Sequence, residues 1–451
     1  MGGARVLTVV AATALSLGGC SLLPPAPVVV TVDAPAPAVT GVVAPTPSAR
    51  ASSGSSSGDA SGRDEGPGVE KPYVSGSRAW TEVAERTGPA LVRIDVAGCD
   101  TRVVGSGCFV ADDLVVTAGH VATGASALSV QYAGGVVSAL VVGIDRTSDV
   151  AVLRTATPVA PAKVRLAGSG APARKAVGLL GFPLGSFDLR ATEATAGRGV
   201  AVDYGSIKAT EAFVTDARVN DAVTGGPAVD ASGAVVGLLT GPALWVSGLD
   251  TSADGRNAKL EALGQRPRTK RPATTADPAW LRSPAVVVPA AAVAADVARW
   301  RDAPSRDLLE CYGDVAPPLG DSRAPTVEVR SGHSYARDVA AAISLQGQAL
   351  NTGSDEVAFA VFTPDQQDRL EGLETWREDQ AGRHWDHVTV RRLVGSGDVV
   401  DASVELRTRL DAAHRVEGRS CVVQEQQVQL RRSGGGWLIH RVTDAGPARP
   451  C

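Results

Sequence analysis

Between residues 77 and 249 the sequence is a run of short apolar segments separated by Gly- and Asp-rich turns. In order they read ALVRIDVAG, GSGCFVADDLVVTAGHV, ALSVQY, VVSALVVGID, VAVLRT, AVGLLGF and AVVGLLTG. Many short strands at this spacing predict an all-β barrel or sandwich rather than alternating helices and strands. Residues 250–283 lose the pattern and gain charge, Thr and Pro, which predicts a long loop. PAVVVPAAAVAADVARW (284–300) then predicts one more strand, a proline stop and an Ala-rich helix from about Ala290.

A chain of 451 residues exceeds one typical core, and the pattern changes class after a second linker at 304–332. From 333 to 451, Val339, Ala342, Ile343, Gln346, Ala349 and Leu350 follow helical spacing. Ser354 is placed to cap a second short helix. Thr363-Pro364-Asp365-Gln366 is a capping box with proline in the first turn. After Gly382 the period becomes two: Val404, Leu406, Thr408 and Leu410 alternate with Glu405, Arg407, Arg409 and Asp411. Helices followed by a long antiparallel meander predict an α+β domain.

The N-terminus has the three parts of an export signal. Arg5 supplies positive charge, residues 6–19 form an apolar run too short to span a bilayer, and LGGC closes it. LGGC resembles the bacterial lipoprotein signal. That resemblance implies cleavage after residue 19, a lipid on Cys20, and residence on the outer face of a bacterial cell membrane, held there by buried methylenes. Residues 20–76, first Pro/Ala/Val-rich and then Ser/Gly-rich, predict an extended, flexible tether.

The remaining cysteines agree with an oxidising compartment. Cys99 and Cys108 flank a predicted hairpin and are one candidate pair. Cys421 and Cys451, at opposite ends of the last predicted hairpin, are another. Cys311 is then left over, or takes a partner from the second pair. No cysteine or histidine spacing forms a zinc site, and no cofactor is expected. A net charge of −4 gives no basic field for nucleic acid.

Three residues carry chemistry. His120 lies in LVVTAGHVA, Asp149 in DRTSDVAVLR, and Thr224 in NDAVTGGP. A nucleophilic triad needs a hydroxyl, an imidazole to take its proton, and a carboxylate to fix the imidazole tautomer. Asp145 competes with Asp149 for the last role. Taken together, GSGCFVADDLVVTAGHV, DVAVLR, LLGFPLG (179–185), TAGRGVAVD (195–203), TDARVNDAVTGGPAVDASGAVVGLLT (215–240) and VVVPAAAV (286–293) resemble the HtrA/Deg-type branch of the trypsin-like peptidases over about 78–300. The resemblance implies a double six-stranded β-barrel with its site between the barrels. It implies His120 as general base, Asp149 as its orienter, Thr224 in the nucleophile position, and an oxyanion hole at the N–H groups of Ala222 and Thr224. Arg218 is a weak candidate for the base of the specificity pocket.

The chain departs from that family at two places that matter. The family's serine is Thr224, whose extra methyl stiffens χ1 and crowds the site. The glycine two residues earlier is Ala222, which adds a Cβ where backbone and substrate approach. An error on the order of 1 Å can lower a rate roughly 100-fold, and one lost oxyanion donor about 100- to 1,000-fold. These changes predict an impaired peptidase kept for binding or regulation, with a protein or peptide partner in the envelope. An active endopeptidase using Thr224 is the alternative. Residues 333–451 are similar to the SnoaL-like, nuclear-transport-factor-like superfamily, through GQALNTGSDEVAFAVFTP and GGGWLIHRVTD; small-ligand binding there is a further alternative. His384, His387, His414 and His440 form no motif, and Trp376, Trp385 and Trp437 read as core.

Overall fold

The computed structural model describes residues 73–75, 78–99, 102–168, 174–182, 189–203, 208–217, 223–242, 285–306, 317–433 and 436–451. The signal, most of the tether, Cys20, Cys311, Arg218, Ala222 and the 250–283 loop lie outside these residues. Residues 64–451 form one compact unit.

A short strand, β1 (Tyr73–Ser75), and a helix, α1 (Arg78–Thr87), precede the first barrel. That barrel comprises β2 (Leu91–Ala97), β3 (Arg102–Phe109), β4 (Leu114–Ala118), β5 (Ala127–Tyr132), β6 (Gly135–Asp145) and β7 (Val150–Thr155), with a single helical turn, α2 (Gly119–Ala122), after β4. The strands close in the order β2-β3-β4-β7-β6-β5. Val92, Ile94, Val96, Phe109, Val115, Leu128, Val130 and Leu153 fill the interior. Closure leaves no free edge, which suits strands this apolar.

The second barrel comprises β8 (Ala176–Gly181), β9 (Arg190–Asp203), β10 (Lys208–Thr215), β11 (Pro227–Val229), β12 (Val235–Pro242) and β13 (Ala285–Pro289). These pair as β9-β10-β13-β12-β11-β8, and β8 returns to β9 to close the ring; β1 adds in parallel to β9. The all-β double barrel expected from the sequence is therefore the fold. The Ala-rich segment forms α3 (Ala290–Trp300), starting where Pro289 ends the strand. Trp300 lies so close over Gly143 that a Cβ there would be 2.2 Å from its ring.

The C-terminal region is α+β. It contains β14 (Thr326–Val329), α4 (Ala336–Asn351), α5 (Asp355–Phe359), α6 (Pro364–Arg369), α7 (Leu373–Gln380), β15 (Arg383–Ser396), β16 (Val399–Leu410), β17 (Cys421–Ser433), β18 (Gly436–Asp444) and β19 (Arg449–Pro450). The sheet runs β14-β15-β16-β17-β18, with β19 on β17. Thus the segment read as linker supplies β14, parallel to β15. Thr363 caps α6 by accepting from the Gln366 N–H, whereas Ser354 makes no side-chain cap. Among the described residues no helix is long and apolar enough to cross a membrane.

Helix α4 joins this region to the first barrel. Of its sixteen residues only Arg337 is not buried, because it is covered on both sides. Its apolar face shares a core with Trp385, Val388, Val404 and Leu430, and that core continues into Ala97, Ala127 and Val136 of the barrel. Its polar face meets the barrel directly. Gln348 Oε1 accepts from the Leu128 N–H at 2.7 Å, and its Nε2 donates to the Ala139 carbonyl at 3.1 Å. The β5–β6 ladder ends at the Ser129–Ser138 pair, so the Gln348 amide supplies the next rung. One turn earlier Ser344 Oγ meets Ser138 Oγ at 3.1 Å.

The disulfide pattern differs from one expectation. Cys421–Cys451 forms, pinning β19. Cys108 is a free, buried thiol, and Cys99 is disulfide-bonded to a cysteine that is not among the described residues. The reason is register. Ala97 pairs with Arg102, while Cys108 pairs with Leu91 at the far end of the hairpin. Six residues of strand, about 20 Å, separate Cys108 from the Cys99 end, and a disulfide needs Cα atoms roughly 4–7 Å apart. Burial pushes the Cys108 thiol up to about 12, which leaves it inert.

Candidate active site

The site forms where the barrels meet. The first barrel brings His120, on the turn after β4, and Asp149, at the entry to β7. The second brings Thr224, before β11, and Thr240, near the end of β12.

Asp149 is 1% exposed. Its carboxylate faces His120 Nδ1 at 2.9 and 3.1 Å and accepts the His120 backbone N–H at 2.9 Å. It also accepts the Thr240 hydroxyl across the barrel junction. Its own carbonyl accepts the Gly119 N–H at 2.9 Å. A carboxylate held this way favours the imidazole tautomer with the proton on Nδ1, leaving Nε2 as the basic nitrogen. Gly119 is needed here, since a Cβ would sit 3.0 Å from Asp149 Oδ1. Asp149 has φ of 55°, a left-handed conformation that aspartate tolerates better than most residues. Asp145 instead turns away. It accepts the N–H groups of Thr147 and Ser148 and pairs with Arg299.

The nucleophile loop is built around its glycines. Gly225 has φ of 84°, and a Cβ there would lie 2.1 Å from Thr117 Oγ1 and 2.3 Å from the Ser106 carbonyl. A Cβ on Gly226 would lie 2.1 Å from the Leu180 carbonyl. Only glycine fits either place. Ser106 secures the loop: its N–H donates to the Thr224 carbonyl at 2.7 Å, its Oγ accepts from the Phe182 N–H at 2.9 Å, and its carbonyl accepts from Thr117 Oγ1 at 2.7 Å.

Thr224 itself is 2% exposed. Its Oγ1 is buried and has no hydrogen-bonding partner. The bond to the His120 imidazole that would complete a triad is therefore not formed. His120 and Asp149 come together; the hydroxyl shares the site without engaging them. Ala222 and Arg218, the other residues singled out in the sequence, lie outside the described residues.

Two contributors had no motif to reveal them. Thr240 sits in an apolar strand and carries no local signal. Ser106 sits in a Gly-Ser-Gly that reads only as a flexible strand segment. Both are legible only once the two barrels are docked.

Two six-stranded barrels with a histidine–aspartate pair at their junction define a trypsin-type peptidase fold. Residues 105–238 match the family model of the trypsin-like peptidase domain, and this part of the chain is such a domain. Among solved structures, the active form of the Rv3671c protease from M. tuberculosis is similar at 22% identity and a TM-score of 0.38, over 54% of this chain and 94% of that one. The HtrA-type protease AlgW, solved with a tripeptide, is similar at 22% and 0.36, over 49% and 62%. The MamO protease domain from Magnetospirillum magneticum, in its apo form, is similar at 21% and 0.35, over 47% and 96%. At these levels the assignment stands on the strand pairing and the family match alone. No curated protein matches the sequence.

Proposed function

We propose that the protein is a cell-envelope lipoprotein whose trypsin-like peptidase domain is impaired in proteolysis and serves as a binding or regulatory module. In this reading His120 and Asp149 are the base and its orienter, and Thr224 is a degenerate nucleophile. Cys20 carries the lipid that holds the chain on the extracytoplasmic face of the membrane, and the partner is a protein or peptide of the envelope.

One observation carries the reading: the Thr224 hydroxyl is buried and unbonded, beside a dyad whose hydrogen bonds are made. An attacking oxygen must be exposed to the carbonyl and within reach of its base. A buried hydroxyl off its base is neither. The sequence adds to this, because Ala222 stands where the family that the chain resembles has the glycine of its oxyanion loop.

Labelling with a serine-directed fluorophosphonate tests it. The wild-type chain is expected to remain unlabelled, and Thr224→Ser with Ala222→Gly to label at least 10-fold more. Strong wild-type labelling and peptide cleavage, both lost in Thr224→Ala, would overturn the reading. Loss of detergent-phase partitioning in Cys20→Ser tests the anchor separately.

A further inference from the structure

The turn carrying Asp149 is gripped by a helix that belongs to neither barrel. From α3, the Asp296 carboxylate accepts the Ser148 hydroxyl at 2.6 Å, and Ser148 immediately precedes Asp149. Arg299, one turn on, reaches Asp145 Oδ2 at 2.9 Å and Asp296 Oδ1 at 3.6 Å. Trp300 closes over Gly143 in β6, the strand leading into the turn. Within the turn, Asp145 Oδ1 accepts the Thr147 and Ser148 N–H groups at 2.7 and 3.2 Å. Every residue from 143 to 148 that could swing the turn is thus fixed either by α3 or by Asp145, except Ile144 and Arg146.

Asp296 is 2% exposed, an unusual place for a carboxylate that merely decorates a helix. Burial pushes it up to about 6, against the Ser148 hydroxyl, which favours its charged form; Asp145 adds to the rise. Asp145 is held below its usual range. Burial opposes this, but the two turn N–H groups and Arg299 outweigh it. Meanwhile Asp149 occupies a left-handed conformation. For a non-glycine residue that is uphill, and it persists where the surroundings over-determine it.

We propose that Asp296, acting through Ser148, is a positioning residue for the His120–Asp149 pair. The contact sets the path of the chain into Asp149, and so the angle at which its carboxylate meets the imidazole. Arg299 keeps the two acidic groups of the clamp compatible by lying between them. The proposal rests on reading His120 and Asp149 as the functional pair, and it predicts that the pair loosens when α3 releases the turn although no residue of the pair has changed.

The test is proton NMR of the full chain, following the imidazole Nδ1–H of His120. A proton shared with a carboxylate resonates far downfield of the amides, and His120→Gln identifies it by its loss. The signal is expected in the wild type, retained in Asp296→Asn, whose amide oxygen still accepts from Ser148, and lost to exchange in Asp296→Leu. Ser148→Ala, which removes one hydroxyl from a half-buried turn and leaves the helix intact, is expected to lose it as well. A merely structural role would lower stability without selectively erasing that resonance. If Ser148→Ala folds and keeps the signal unshifted, the positioning role is wrong. If the wild type lacks the signal, the functional reading of the pair fails first, and the two failures are distinct.

Discussion

Two of the buried aspartates are held in different ways. Asp149, at the barrel junction, is surrounded by donors: the His120 ring, the His120 N–H and the Thr240 hydroxyl. Asp338, on α4 at the contact between the C-terminal region and the first barrel, is 4% exposed. It meets Arg93 Nη1 at 3.3 Å, beyond good hydrogen-bonding distance, and both of its oxygens lack a hydrogen bond. One carboxylate is held by short, directed bonds. The other is buried beside a cation it does not bond well, and burial is the stronger influence. Directional satisfaction marks the place where orientation matters; loose burial marks a joint that mainly has to close.

The comparison breaks most sharply if Asp149 can be removed harmlessly. Asp149→Ala strands the Thr240 hydroxyl and the His120 N–H in a buried site and forces alanine into a left-handed conformation. About 3 kcal/mol or more of stability should be lost, by denaturant titration. On the interface side the critical group is Gln348 rather than Asp338. Gln348→Ala leaves the Leu128 N–H and the Ala139 carbonyl unpaired, at a loss of about 2–3 kcal/mol. Hydrogen exchange should accelerate in β5 and β6 before it does in the second barrel.

Asp338 should behave in the opposite sense. Burial raises it to about 6; Arg93 opposes the rise, as do the Gln131 amide and Arg432, while Asp95 adds to it. These groups come from β2, β5 and β17, so Asp338 feels both sides of the joint. A carboxyl whose folded pKa lies above its unfolded value binds its proton more tightly in the folded state. Its stabilising contribution is therefore complete below about 4 and is lost as pH rises through about 6. Asp338→Asn should match the wild type at pH 4 and be more stable at pH 8 by roughly 1–2 kcal/mol. Because Asp296 also rises to about 6, the variant should flatten the pH profile by about half rather than abolish it. Equal loss at both pH values would mean that Asp338 contributes through directed contacts, as Asp149 does, and not through burial of its protonated form.

How far the sequence reveals these two regions differs for the same physical reason. The barrels are written as local pattern: short apolar strands, turn glycines, and a Pro289 stop before α3. TAGHV and DVAVLR place His120 and Asp149 because each sits at a strand end whose position follows from that pattern. The joint has no such local sign. Ser344 and Gln348 lie on the polar face of an amphipathic helix, which reads as solvent-facing. Nothing nearby says that a second domain covers it. The Cys99–Cys108 pairing failed similarly, since proximity in sequence ignored a hairpin register that separates the two by most of a strand. Thr240, Ser106 and the Asp296–Ser148 contact are likewise long-range, created only when separate elements dock.

The smallest expected effect probes how many donors Asp149 needs. Thr240→Val keeps the shape and removes only the hydroxyl that crosses between barrels. Asp149 keeps both His120 contacts, so the cleft should stay intact, with a stability loss of about 1 kcal/mol. With one donor fewer, the carboxylate's remaining charge is shared with His120 alone. The contact between the carboxylate and the ring should change, which ring proton NMR of His120 can follow. If stability and the His120 ring signals were both unchanged, the Thr240 bond would be incidental packing, and Asp149 would be oriented wholly from within the first barrel. That result would shift the weight of positioning onto the turn before it and onto α3, which holds that turn at Ser148.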